Sequence, residues 1–293
     1  MTLLLQLLLN AIVNASVYSL LAVGFGLVYR SMRFFHIAYG AVYIIASYAV
    51  IYGMDSIGIP LYLSLGAGLL IGVLAGIAMD RAVYLPLERR GASTAVLFIA
   101  SLGLYILIVN FIALMFGNEV KILSRGMEPS FQMGSFVITR MQGIQFLTGW
   151  IFVIVFWLII RKNTFMKGIW AMGETPALVM ALGLPYRAMR TAVFMLSSVF
   201  AGTASILTAL DVGIDPHVGM QALLTGAVAV IVGGVDVFWG WIAGALILAI
   251  LQSIAVWQFS ARWNDLITFG ILIAVLLFRP QGLFSPRKRR EER

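Results

Sequence analysis

The chain is a succession of apolar runs with no charge at their centres, each close to the length a helix needs to cross a bilayer. A hydrocarbon core about 30 Å thick takes roughly 20 residues of helix. Runs of that order lie near 3–29, 34–52, 61–80, 92–116, 144–160, 188–210, 217–233, 238–258 and 262–278. Backbone amides find no water in lipid, so spanning segments are helices or closed barrels. Barrel strands alternate over about ten residues, whereas these runs are long and continuous. The expectation is an all-α integral membrane protein with about eight to nine transmembrane or re-entrant helices. Two runs are candidates for broken or re-entrant segments: 34–52 opens on a polar aromatic cluster, and 217–233 is short and interrupted by glycine. The apolar start, MTLLLQLLLNAIVNASVYSLLAVGFGLVY, has no basic stretch ahead of it and outruns a signal peptide, so it reads as the first span.

Only 11% of residues are charged, so where they fall is informative. With the C-terminus cytoplasmic, one membrane face collects 16 of the 20 lysines and arginines. They run from Arg30 and Arg33 through Arg81, Arg89 and Arg90, then Arg161 to Arg190, to the basic tail at 279–293. Positive residues stay on the cytoplasmic side, which puts the N-terminus out and the C-terminus in. The net charge of +8 is mostly this asymmetry beside anionic lipid and calls for no nucleic acid. Without cysteine there is no disulfide or thiolate metal site, and two histidines, His36 and His217, are too few to build one unless carboxylates complete it. No GxxxxGK[ST] phosphate loop is present, so the chain cannot cradle nucleotide phosphates by that route.

Two connections are long. The external one, 117–143, has mixed charge and room for strand pairing, and serves either as a cap over the helices or as part of a docking surface. The cytoplasmic one, 161–187, contains GETPALVMALG, a helix too short to cross the membrane. Thr175 suits its N-cap, Pro176 its first turn, Glu174 the positive end of its dipole, and Gly183 a left-handed C-cap. Pro185 prevents continuation. Its small apolar face fits either a groove on another protein or the lipid headgroups.

That stretch resembles the short cytoplasmic coupling loop of ABC-importer permeases, with Glu174, Ala177, Ala181 and Gly183 in the matching places. Four more stretches are similar, in order, to the branched-chain amino-acid permeases of the LivH and LivM type, and nearer LivH. They are QLLLNAIVNASVYSLLAVGFGLVY, FFHIAYGAVYIIASY, ERRGASTAVLFIASLGLYILIVN, and IVGGVDVFWGWIAGALI followed by LLFRPQGLF. The resemblance implies one permease domain over 1–293, half of a pathway completed by a second related permease. It further implies two cytoplasmic ATPase subunits that use ATP and Mg, leaving this chain a non-catalytic subunit with no cofactor of its own, together with an external solute-binding protein and an inner membrane to hold them. The ATPases would grip Glu174, Thr175, Pro176, Ala177, Ala181 and Gly183.

Gln6, Asn10, Asn14 and Tyr18 recur every four residues and form a polar stripe on the first helix. Buried amides in lipid are costly, so the stripe is expected to face the bundle interior, either lining the pathway or tying helices together. Asn110 poses the same choice. The family usually reads Asn-Phe-Ala-His-Gly-Glu where this chain has His36, Ile37, Ala38, Tyr39, Gly40 and Ala41, keeping Gly40 and, further on, Tyr43. His36, Tyr39 and Tyr43 join the pathway candidates, with His36 as an interfacial hydrogen-bonder and Tyr39 as a ring packed between helices the alternative. Losing the acid leaves the solute open among branched-chain or related amino acids, urea, short amides and small carboxylates. Gly40, Gly233, Gly234, Gly240 and Gly244 read as helix-packing glycines, with Asp236 capping a helix or pairing an arginine. The competing class, an ion-coupled carrier or channel, generally needs ionisable groups at membrane depth, and no run has one at its centre.

Overall fold

The computed structural model describes residues 2–123, 130–133, 136–174, 179, 181–260 and 263–285. Its helices are α1 (Thr2–Met32), α2 (Tyr39–Asp55), α3 (Leu61–Met79), α4 (Leu85–Arg89), α5 (Thr94–Phe116), α6 (Arg140–Lys162), α7 (Thr164–Met172), α8 (Tyr186–Asp211), α9 (Val218–Gly233), α10 (Phe238–Gln258) and α11 (Asn264–Phe278). A π-helical turn, Asp80–Tyr84, joins α3 to α4. Among the described residues six helical stretches are long and apolar enough to span a membrane, while α9 and α11 are shorter. The protein is therefore an all-α membrane protein, as its apolar runs require.

α1 and α8 form the centre. Their apolar windows are 83% and 78% buried, against 22% for the stretches containing α3 and α6, whose outer faces are left to lipid. Leu20, Phe25 and Leu27 on α1 and Phe194 and Phe200 on α8 fill the space between them and their neighbours. Ser16 and Gly24 of α1 lie at the levels of Leu207 and Ser197 of α8, so the two helices run antiparallel.

The remaining packing is reciprocal. α1 packs on α9 and α10, and α8 packs on α2 and α3. The series α1–α2–α3 and α8–α9–α10 run in opposite directions, which is the arrangement of an inverted repeat. The two series meet at Gly40 and Gly219: a Cβ on either would collide with the other's carbonyl oxygen. Only residues without a side chain let these two helix starts approach so closely. Both segments that the sequence marks as broken are thus short helices entered through irregular chain, at 33–38 and 212–217, and they abut each other.

The loops differ from a simple reading of the apolar runs. The long connection after α5 contains an antiparallel hairpin, β1 (Ser130–Met133) with β2 (Phe136–Thr139), Ser130 opposite Thr139. The helix after it starts at Arg140 rather than near 144, because Thr139 and Gln142 form a reciprocal capping box. In the connection at 161–187 a nine-residue helix, α7, intervenes, capped by the Asn163 side chain. Its strong amphipathic pattern lies in only two turns, too short to register against the membrane runs on either side.

Candidate functional site

Where α1 ends, Arg30 joins three separate elements. Its side chain is 3% exposed, with Nη1 2.5 Å from Asp236 Oδ1 in the α9–α10 turn and Nη2 2.9 Å from Glu174 Oε1 after α7. The guanidinium lies 4.3 Å from the centroid of the Trp170 ring, an arrangement in which the ring face attracts the cation. A planar fork with several donors serves two carboxylates at once, which a lysine would not do as well. Arg33 leaves the helix in a left-handed conformation (φ 56°), and its Nε donates to Gly173 O at 2.7 Å. A Cβ on Gly173 would strike the Arg30 carbonyl, so that glycine lets the segment after α7 lie directly on the end of α1. A cavity of about 680 Å³ opens beside the cluster, between Tyr29, Trp170, Asp236 and Gln281.

Of the expected coupling residues, Thr175, Pro176 and Ala177 lie outside the described residues. Glu174 is turned to use: it is the acid that Arg30 holds. Gly183 has φ 71°, and Leu184 N donates to Val179 O at 3.2 Å, closing the segment as a left-handed C-cap does. Val179 is buried, whereas Ala181, Leu182 and Gly183 are exposed. Among its described residues the stub thus has an inward anchor, Val179, and an outward apolar tip.

The polar stripe divides along α1. Gln6 pairs with the edge of β2, its Nε2 donating to Val137 O at 2.9 Å and its Oε1 accepting from Val137 N at 3.2 Å. Asn10 is half-buried and accepts from Gln6 at 3.3 Å. Asn14 is exposed on the outer side of the bundle, unlike the inward-facing position that an isolated amide in lipid would favour. Tyr18 belongs to an internal relay: its hydroxyl donates to Gln252 Oε1 at 2.7 Å, and Gln252 Nε2 donates to Thr268 Oγ1 at 2.6 Å. Asn110 is exposed and donates to Ile106 O of its own helix.

His36, Tyr39 and Tyr43 are all buried. Tyr84 OH, Ser101 Oγ and His36 Nδ1 form a closed triangle, 3.1 to 3.4 Å on each side. The rings of Phe34, Tyr84 and Phe194 box in the imidazole. Tyr39 OH donates to Leu21 O, and Tyr43 pairs with Thr208. These three side chains tie α2 to its neighbours. Among the glycines, Gly233 lies against the Gly240 carbonyl and Gly244 against that of Ala229, which brings α9 and α10 together, and Gly234 turns the chain between them at φ 103°.

A second ionic cluster went unread in the sequence. Arg190 in the first turns of α8 donates from Nε to Asp80 Oδ1 at 2.7 Å and from Nη1 to Glu88. Arg30, Asp80 and Arg190 show in the sequence only as charges near run ends, where charge reads as topology, and Trp170 only as one apolar residue of the connection at 161–187. Asp236, marked there as a possible partner of an arginine, is the one visible signal.

Comparison with known proteins follows this geometry. Residues 7–276 match the family described as branched-chain amino acid transport system, permease component. The chain is 26% identical to the high-affinity branched-chain amino acid transport system permease protein BraD of Pseudomonas aeruginosa, over 96% of this chain and 95% of that one. It is equally similar, with the same coverage, to LivH of Escherichia coli K12, which carries the same description. Among solved structures, PsaBC from Streptococcus pneumoniae in complex with Fab covers 96% of this chain and 92% of its own at 13% identity, with a TM-score of 0.54. That likeness concerns the fold alone. With a matched region that takes in α1 to α11 almost entire, the chain belongs to the family of permease components of branched-chain amino acid transport systems.

Proposed function

We propose that the chain is one half of the translocation unit of an ATP-driven ABC importer, oriented with its N-terminus outside and its C-terminus in the cytoplasm. The single observation that carries the coupling part is the Arg30 cluster. A load applied to the exposed tip at Leu182 and Gly183 passes through Glu174 to the end of α1, and through Asp236 to the α9–α10 turn. One central helix and one of the inverted series then move together. Discrete rearrangement of packed elements of this kind is how alternating access is generally switched.

The engine is external to this chain: two ATPase subunits that bind ATP and Mg and seat on residues 174–183. The solute passes between this permease and a second, related one. The exposed amides Asn14 and Asn110, with the half-buried Asn10, suit such a seam, where a partner or water replaces lipid. A solute-binding protein delivers cargo at the face that carries the hairpin. Branched-chain or related amino acids are the cargo that the descriptions of BraD and LivH favour.

Purification in mild detergent with identification of the copurifying chains tests the class. Two ATPase chains and a second hydrophobic subunit are expected, and a homo-oligomer alone overturns the proposal. Gly183→Leu should abolish solute-stimulated ATP hydrolysis while insertion stays normal; unchanged hydrolysis would leave the stub without a coupling role.

A further inference from the structure

Apart from the Arg30 cluster, the basic face carries a second cavity, of about 640 Å³, between the π turn that follows α3 and the first turns of α8. It opens on the outer surface of the bundle, and its walls divide in two. Arg81 and Arg187 are exposed in its wall, and among the described residues neither forms an ion pair. Leu85, Ala188, Ala192 and Met195 make an apolar groove along α8, interrupted only by Thr191, whose hydroxyl donates to the Arg187 carbonyl, with Met195 two turns further into the bundle than Arg187. Asp80 also lines it, but its carboxylate and that of Glu88 are both engaged by Arg190, and Arg89 and Arg90 follow close by on the surface.

We propose that this groove binds an anionic phospholipid, the phosphate between Arg81 and Arg187 and an acyl chain along Ala188, Ala192 and Met195. The division of the walls carries the assignment. A free phosphate would use the two guanidiniums and leave the apolar groove empty, and an apolar peptide would leave two unpaired charges beside it. A phospholipid satisfies both halves and is already present at this depth, where each arginine near an anionic headgroup contributes favourably. The inference does not depend on the solute or on the coupling mechanism.

The test uses the full chain in detergent, titrated with phosphatidylglycerol or phosphatidylcholine and read by native mass spectrometry. Arg81→Gln with Arg187→Gln should lower phosphatidylglycerol retention about 10- to 30-fold and leave phosphatidylcholine nearly unchanged. Ala188→Trp, which keeps every charge and fills an exposed part of the groove, should lower it as well. Arg161→Gln with Lys167→Gln removes two exposed charges from the same face outside the cavity and should not. An equal loss in that control would reduce the effect to general surface attraction and overturn the proposal. So would displacement of the lipid by millimolar inorganic phosphate, or a double variant that loses a copurifying protein but retains lipid. Size-exclusion profiles matching the parent show that the variants fold.

Discussion

Arg30 and Arg190 are equally buried, stand on the same membrane face, and each holds two acids, yet their partners differ. Asp80 is 3% exposed, whereas Asp236 and Glu174 are 40% and 62% exposed. Each cluster joins one of the two central helices to the inverted series it packs on, α8 to α3 and α1 to the α9–α10 turn. Where both partners are sealed from water, breaking the pair leaves a charge with nowhere to go, and the contact is a lock. Where the acids reach solvent, water takes over when the arginine lets go, and the same contact is a latch that can open during a cycle.

The largest effect should come from breaking the lock. Arg190→Met strands the Asp80 carboxylate and should cost about 3–5 kcal/mol, read as loss of monodisperse protein after extraction and a sharply lower unfolding temperature. Adding Asp80→Asn should recover part of that loss. Parent-like stability of the single variant would erase the distinction between the clusters. Arg30→Met comes next. Its acids are hydrated on release, so the expected cost is about 1–2 kcal/mol, small enough for the protein to fold and insert while solute uptake fails. A variant that unfolds as Arg190→Met does would make the Arg30 cluster a second lock.

Much of this architecture was readable in the sequence because lipid imposes it. The apolar runs mark α1, α3, α5, α6, α8 and α10 to within a few residues, since only a continuous helix satisfies its backbone there. The segments at 34–52 and 217–233 were recognisable as unusual from the polar aromatic cluster that opens the first and the shortness and glycine interruption of the second, although the contact of Gly40 with Gly219 is a long-range event that no local pattern encodes. Helix α7 escaped because two amphipathic turns between polar ends carry little weight beside spans of 20 residues. The ionic clusters escaped for a different reason. Arg30 and Asp236 are 206 residues apart, and a charge at a run end already has a sufficient explanation in topology. Asn14 was expected to face inward because an amide in lipid is costly, and its exposure shows that four-residue spacing alone does not say which side of α1 meets the bundle.

The smallest structural effect should separate the clusters most cleanly. Glu174 and Glu88 are the more exposed acids of their clusters, 62% and 44%, and each pairs with a buried arginine that keeps a second acid. Half-exposed pairs contribute about 0–1 kcal/mol, so Glu174→Gln and Glu88→Gln should both unfold within a few degrees of the parent. Their consequences for transport should nevertheless part. Glu174 lies between the exposed tip of the stub and Arg30, so neutralising it slackens the ion pair that ties this segment to the end of α1, and solute-dependent ATP hydrolysis by the copurified assembly should fall several-fold. Glu88 ties α4 to a contact that Asp80 already secures, and its loss should leave hydrolysis near the parent rate. Equal hydrolysis in the two variants would mean that the Arg30 cluster only stabilises the fold, as the Arg190 cluster does.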